Sequence, residues 1–196
     1  MPDGPRHYES IEGWFDFADL YTGFVQRYPS GSHFVEVGAW KGKSTCYMAE
    51  SIRASGKAIR FDAVDTWQGS VEHDTTVAEI GGGDRLFLEF LRNMQSAGVL
   101  TAITPVRLPS SVAVQLYEDR SLDLVFIDAS HEYQDVRADV LAWRPKIKPG
   151  GILAGHDYNP MFPGVIQAVD EIFGGQVDRV GCCWSHDVSP GQGQNS

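Results

Sequence analysis

Apolar positions fall into short runs, and each run stops at a glycine or a carboxylate. Phe34-Val35-Glu36-Val37-Gly38 is the first, and Phe61-Asp62-Ala63-Val64-Asp65 the second. Leu124-Val125-Phe126-Ile127-Asp128 and Gly151-Ile152-Leu153-Ala154-Gly155-His156-Asp157 follow. Runs of this length, rich in β-branched and aromatic residues, predict strands at about 33–38, 59–65, 101–107, 123–128 and 151–156. The last of these opens from a Pro149-Gly150-Gly151 turn. Between them, helical patterns cover 43–55, 84–97, 132–145 and 163–173, and Ser110-Ser111 open a shorter helix. Ile11, Trp14, Phe15, Leu20, Tyr21, Phe24 and Val25 predict a helix over 11–28 that covers one sheet edge. It belongs to an N-terminal helical cover of about residues 10–30. Two short strands within 176–187, split near Gly181, close the pattern.

Strands that alternate with helices imply βαβ units. The fold class is therefore α/β: a Rossmann-like, doubly wound sheet of about seven strands, mostly parallel, with an antiparallel C-terminal edge. At 196 residues, and with no internal repeat or linker, the chain reads as a single domain ending in a disordered tail at 189–196. In such a sheet ligands bind beyond the carboxyl ends of the strands, so the terminal carboxylates converge on one crevice. Convergent acids and glycine turns predict an enzyme.

A formal charge of −10 argues against a nucleic-acid surface, which needs a basic stripe. No apolar run approaches the roughly 20 residues of a membrane helix. No signal pattern is visible, so the expected location is the cytoplasm. The three cysteines form no C-x-x-C pair and read as buried thiols. The expected partner is a small molecule, neither nucleic acid nor membrane, and self-association is left open.

The turn Gly38 to Thr45 invites two phosphate readings, and both fail on spacing. A P-loop needs four residues between its first glycine and Gly-Lys-Ser, where this chain has only Ala39, Trp40 and Lys41. The dinucleotide fingerprint needs a glycine where Trp40 stands. Lys41 and Lys43 then read as solvated charges at the helix start. Asp65 ends the second strand, placed to accept both ribose hydroxyls of a nucleoside, and Glu36 to meet a cationic amino-acid group. A ligand with ribose and an ammonium but no phosphate is S-adenosylmethionine. Gly38, Ala39, Gly42, Ser44 and Thr45 form the turn for it, and Asp128 borders the same end of the sheet. Trp67 is a candidate for packing on adenine or for the core, and Ser110 and Ser111 for bonding adenine or capping their helix.

With these residues in view, the chain resembles the class I methyltransferases that use S-adenosylmethionine. Phe34–Thr45, Ala63–Trp67, Phe126–Tyr133 and Lys148–Asn159 are most similar to the small divalent-metal-dependent O-methyltransferases of macrolide-sugar and catechol type. The likeness runs from about residue 10 to 188. It implies metal ligands at Asp128, His156 and Asp157, with a departure: a carboxylate is commoner where His156 stands. Carboxylates suit Mg²⁺, whereas an imidazole favours a softer ion such as Mn²⁺. It also implies a general base at His131, because macrolide-sugar members place a histidine there. An imidazole with pKa near 6.5 can take a hydroxyl proton at neutral pH.

The reading is thus methyl transfer to a hydroxyl of a small molecule such as a sugar or polyol. The rivals are a nicotinamide-dependent dehydrogenase, a metal-dependent hydrolase at Asp128, His156 and Asp157, and a non-catalytic nucleoside-binding module on the same fold. Residues 68–84, with His73, Asp74 and Gly81-Gly82-Gly83, read as a lid over the acceptor or a flexible loop.

Overall fold

The computed structural model describes residues 7–69 and 83–188. Helix α1 spans Ala18–Arg27, followed by β1 (His33–Val37), α2 (Lys43–Ser55) and β2 (Arg60–Asp65). Next come α3 (Gly83–Ser96), β3 (Thr104–Arg107), the single-turn α4 (Ser110–Ala113) and β4 (Leu122–Ile127). Then follow α5 (Tyr133–Trp143), β5 (Ile147–Gly155), α6 (Pro163–Phe173), β6 (Asp178–Val180) and β7 (Cys183–Asp187).

The strands form one seven-stranded sheet in the order β3-β2-β1-β4-β5-β7-β6. β1 to β5 pair parallel, while β7 runs antiparallel to β5 and β6. Chain order reverses between β1 and β4, the place in such sheets where ligands bind. Alternation sorts the core into two layers. Phe34, Phe61, Ala63, Phe126 and Ile152 pack with Tyr21, Met48 and Phe90 of α1, α2 and α3. Val35, Val64, Val125 and Leu153 pack with Val136, Val140 and Val169 of α5 and α6.

Three elements differ from the expected ones. Residues 11–28 are not one helix: a 3₁₀ turn spans His7–Ser10, the next stretch is irregular, and α1 starts only at Ala18. Gly13 has φ +141°, a backbone that a helix cannot contain. The segment also covers a face rather than an edge, because the Phe17 and Tyr21 rings lie 4.8 and 4.9 Å from Phe126 of central β4. β5 begins at Ile147, ahead of Pro149 and Gly150. Register with β4 moves from Leu122↔Ile147 to Leu124↔Ile152, so Pro149-Gly150-Gly151 is a bulge inside the strand. At the sheet's other edge, the 3₁₀ turn Leu100–Ala102 takes up residues expected in β3. The expected lid, apart from its two ends, and the tail at 189–196 lie outside the described residues.

Candidate active site

At the carboxyl ends of β1, β2 and β4 the backbones are tied together. Gly38 N–H donates to Val64 O at 2.9 Å, and Asp128 N–H to Val37 O at 2.7 Å. A Cβ at Gly38 (φ +94°) would stand 1.8 Å from the Asp128 carbonyl oxygen, so only glycine lets these ends approach. Asp65 shapes the turn that follows. Its Oδ2 accepts the N–H groups of Ala39 and Trp40, each at 2.8 Å, and Oδ1 accepts that of Trp67 at 2.7 Å. Trp40 and Trp67 have φ +48° and +51°, so the carboxylate bonds the amides of two left-handed residues. Oδ1 has room for a further donor, since each carboxylate oxygen carries two lone pairs.

Glu36 lies deeper, on the buried face beside Phe34. The Tyr21 hydroxyl donates to its Oε1 at 2.8 Å, and the Thr45 hydroxyl donates to Oε2. Burial, the largest influence, raises the carboxyl's pKa; donation from Thr45, Ser44 and Tyr21 opposes this, while Asp128 repels the charge. The result is a pKa pushed up to about 7. With only 1% of its surface exposed, Glu36 meets hydroxyls of α1 and α2 rather than a ligand's ammonium.

Several expected ligand residues have other work. Trp67 is fully buried between Phe87 and Phe90, and its indole N–H donates to Trp40 O at 2.8 Å. It has no face to offer adenine, which settles it as a core residue. Ser110 does not cap its helix. It donates to Asp139 Oδ1 at 2.6 Å and accepts from Trp143 Nε1 at 2.8 Å, fastening α4 to α5. Ser111 is exposed, and its carbonyl accepts from Gln115 Nε2 at 3.3 Å. Ser44 and Thr45 are buried, and so is Lys41, which is not a solvated charge. Its ammonium bridges Glu12 at 2.6 Å and Glu89 at 3.2 Å. Gly42 opens α2 with φ +90°, and a Cβ there would press to 2.6 Å from Met94.

The reaction end lies past β4 and β5. Donor atoms of Asp128, His156 and Asp157 lie within 4.8 Å of one another. His156 Nδ1 stands 3.2 Å from Asp157 Oδ1 and 3.6 Å from Asp128 Oδ1. His131 joins the group, with Nε2 2.8 Å from Asp157 Oδ2 and its ring 4.0 Å from Phe162, centre to centre. Burial works against a charged His156, yet the bonds to Asp128 and Asp157 outweigh it and push its pKa up to about 11. For Asp157, burial is again the largest influence but is overcome by His131 and His156, so its pKa falls below the usual carboxylate range. Burial dominates at Asp128 and raises its pKa, against the pull of His156. Asp157 itself holds φ +61°, an uncommon backbone for a non-glycine residue.

Three residues of the N-terminal segment join the site without any local motif to mark that role. Asp16 Oδ1 lies 2.9 Å from His156 Nε2, Phe17 packs 4.8 Å from the His156 ring, and Tyr21 binds Glu36. Asp16 and His156 are 140 residues apart, so no local motif could pair them.

Residues 35–158 match the model of a family described as a methyltransferase domain, a span from β1 to just past Asp157. The chain belongs to the methyltransferase family. A curated relative of this methyltransferase, the uncharacterized protein y4gI of Sinorhizobium fredii, is 31% identical over 150 residues. That match covers 72% of the chain but only 16% of y4gI. The O-methyltransferase NovP shares the fold at a TM-score of 0.68 and 16% identity, over 95% of this chain and 81% of NovP. Apo CalS11, a TDP-rhamnose 3'-O-methyltransferase of calicheamicin biosynthesis, does so at 0.59 and 18%, over 87% and 76%. Cofactor-bound Rv0187 from MTB gives 0.66 and 15%, over 95% and 90%. At these identities the structural likeness is one of fold. Among the described residues, no helix is long and apolar enough to cross a membrane.

Proposed function

We propose that this methyltransferase moves a methyl group from S-adenosylmethionine to a hydroxyl oxygen of a small molecule, a sugar or polyol, with His131 as general base. The observation that carries the reading is the meeting of His131 with Asp128, His156 and Asp157 beyond adjacent strands, where Asp157 touches both imidazoles. A donor without phosphate suits a turn bordered by the side chains of Asp65 and Asp128. The net charge of −10 favours a small acceptor over a nucleic acid. CalS11, of the same fold, acts on a sugar, which supports the same acceptor class here.

The donor supplies a sulfonium methyl, which an acceptor oxygen attacks in line as S-adenosylhomocysteine leaves. The chain's part is to align and to move one proton. Asp65 Oδ1 has lone-pair capacity for a ribose hydroxyl. Asp157 Oδ2, 2.8 Å from Nε2 of His131, orients the ring that takes the acceptor's proton. Phe162 against the His131 ring restricts its rotation.

Asp128, His156 and Asp157 fit a divalent cation, because two carboxylates and one imidazole converge within 4.8 Å. That donor set favours Mn²⁺ over Mg²⁺. When bound, such an ion is a Lewis acid that lowers the pKa of a nearby hydroxyl. A second reading rests on His156 Nδ1 lying 3.2 Å from Asp157 and 3.6 Å from Asp128, carboxylates that raise its pKa and favour the imidazolium. The ring then provides the positive charge with no metal.

His131→Ala should lower turnover by roughly 10²- to 10⁴-fold while the affinity for S-adenosylmethionine stays unchanged. A fully active variant would remove His131 as the base. Chelation with EDTA should abolish activity reversibly. A full rate in metal-free enzyme selects the imidazolium reading instead.

A further inference from the structure

The candidate metal site has an outer layer. Asp16 sits in the irregular stretch before α1 and reaches His156 on the ring nitrogen opposite the acid pair. Its Oδ1 is 2.9 Å from Nε2, while Nδ1 faces Asp157 at 3.2 Å and Asp128 at 3.6 Å. A carboxylate accepts hydrogen bonds and does not donate them, so Asp16 keeps a proton on Nε2. A proton fixed there leaves Nδ1 as the nitrogen able to give a lone pair to a cation. Metal-binding histidines commonly have this partner, a carboxylate on the nitrogen away from the ion.

The segment that carries Asp16 is pinned on both sides. Phe17, next in sequence, is buried and packs 4.8 Å from both the Phe126 and His156 rings. Four residues before Asp16, Glu12 bonds the buried Lys41 ammonium at 2.6 Å, beside the Gly38–Gly42 turn. Asp16 is therefore held against His156 although 65% of its side chain is exposed. An ion pair that open to solvent contributes little to stability. What it can fix is the direction in which the imidazole points.

We infer that Asp16 is a positioning residue, orienting His156 as an Nδ1 donor to a divalent cation shared with Asp128 and Asp157; the inference rests on the metal reading above. The probe is Mn²⁺, titrated by electron paramagnetic resonance into the full chain. Wild type is compared with Asp16→Ala and Asp16→Asn, and the thermal melt of each is recorded. Wild type binds one Mn²⁺ at this site, and Asp16→Ala binds it ten- to a hundredfold more weakly. Asp16→Asn keeps an accepting oxygen and recovers most of that loss, and all three melt together.

Equal affinity in wild type and Asp16→Ala overturns the positioning role and leaves the metal site standing. No Mn²⁺ binding by wild type overturns both. A weaker Asp16→Ala that also melts earlier, with no recovery in Asp16→Asn, marks a merely structural pair and overturns the inference as well.

Discussion

At Glu36 a carboxylate occupies the same face of β1 as Phe34, because a strand returns to one face at every second residue. The sequence shows the acid at a strand end, but not that Tyr21 and Thr45 will enclose it. Burial lifts its pKa from 4.5 to about 7, so the folded protein holds the proton more tightly than the unfolded chain. The resulting stabilisation is present in full below the unfolded value and is lost as pH rises through about 7. A shift of this size corresponds to about 3 kcal/mol. Glu36→Gln should remove that component of the pH dependence, matching wild type near pH 5 and being the more stable protein at pH 8. Urea unfolding of both proteins across this range checks it, and parallel curves would show that Glu36 titrates as it does in water. Asp65 carries a related lesson. Its place at the end of β2 was legible, but not the three backbone amides it gathers, because Ala39 and Trp40 reach it only once β1 and β2 are paired.

Among the elements, the strands were legible because buried parallel strands leave near-continuous apolar runs. The N-terminal segment was not. Ile11, Trp14 and Phe15 sustain a helical period, yet Gly13 leaves the helical region and Trp14 is 76% exposed. Similarly, Pro149 and Gly150 look like a turn in sequence and become a bulge because β4 and β7 continue to pair on either side of β5. Phe17 is where the N-terminal segment enters the core, touching Phe15, Tyr21, Phe126 and His156. Phe17→Ala should therefore cost about 3–5 kcal/mol, and Phe17→Leu much less. Denaturant unfolding measures both. A loss under 1 kcal/mol for the alanine variant would mean that the segment does not hold on to the sheet.

For the molecule as a whole, the topology does what the strand ends announced. Reversal of strand order between β1 and β4 brings Gly38, Asp65 and Asp128 to one end of the sheet, and β5 adds His156 and Asp157 beside them. Residue types at strand ends made that meeting of side chains readable from the chain alone. The outer contacts from Asp16, Phe17 and Tyr21 were not readable, since they arise where a remote segment folds across the sheet. Glu36 and Trp67 were singled out as special, and they are, but for packing and buried hydrogen bonds rather than for ligand contact. The proposed function requires that these strand ends bind a sulfonium nucleoside. Calorimetric titration of the full chain with S-adenosylmethionine and S-adenosylhomocysteine, with and without Mn²⁺, tests it directly. One site per chain with micromolar affinity for both ligands is the expected result; no heat of binding under either condition would rule out S-adenosylmethionine as the donor.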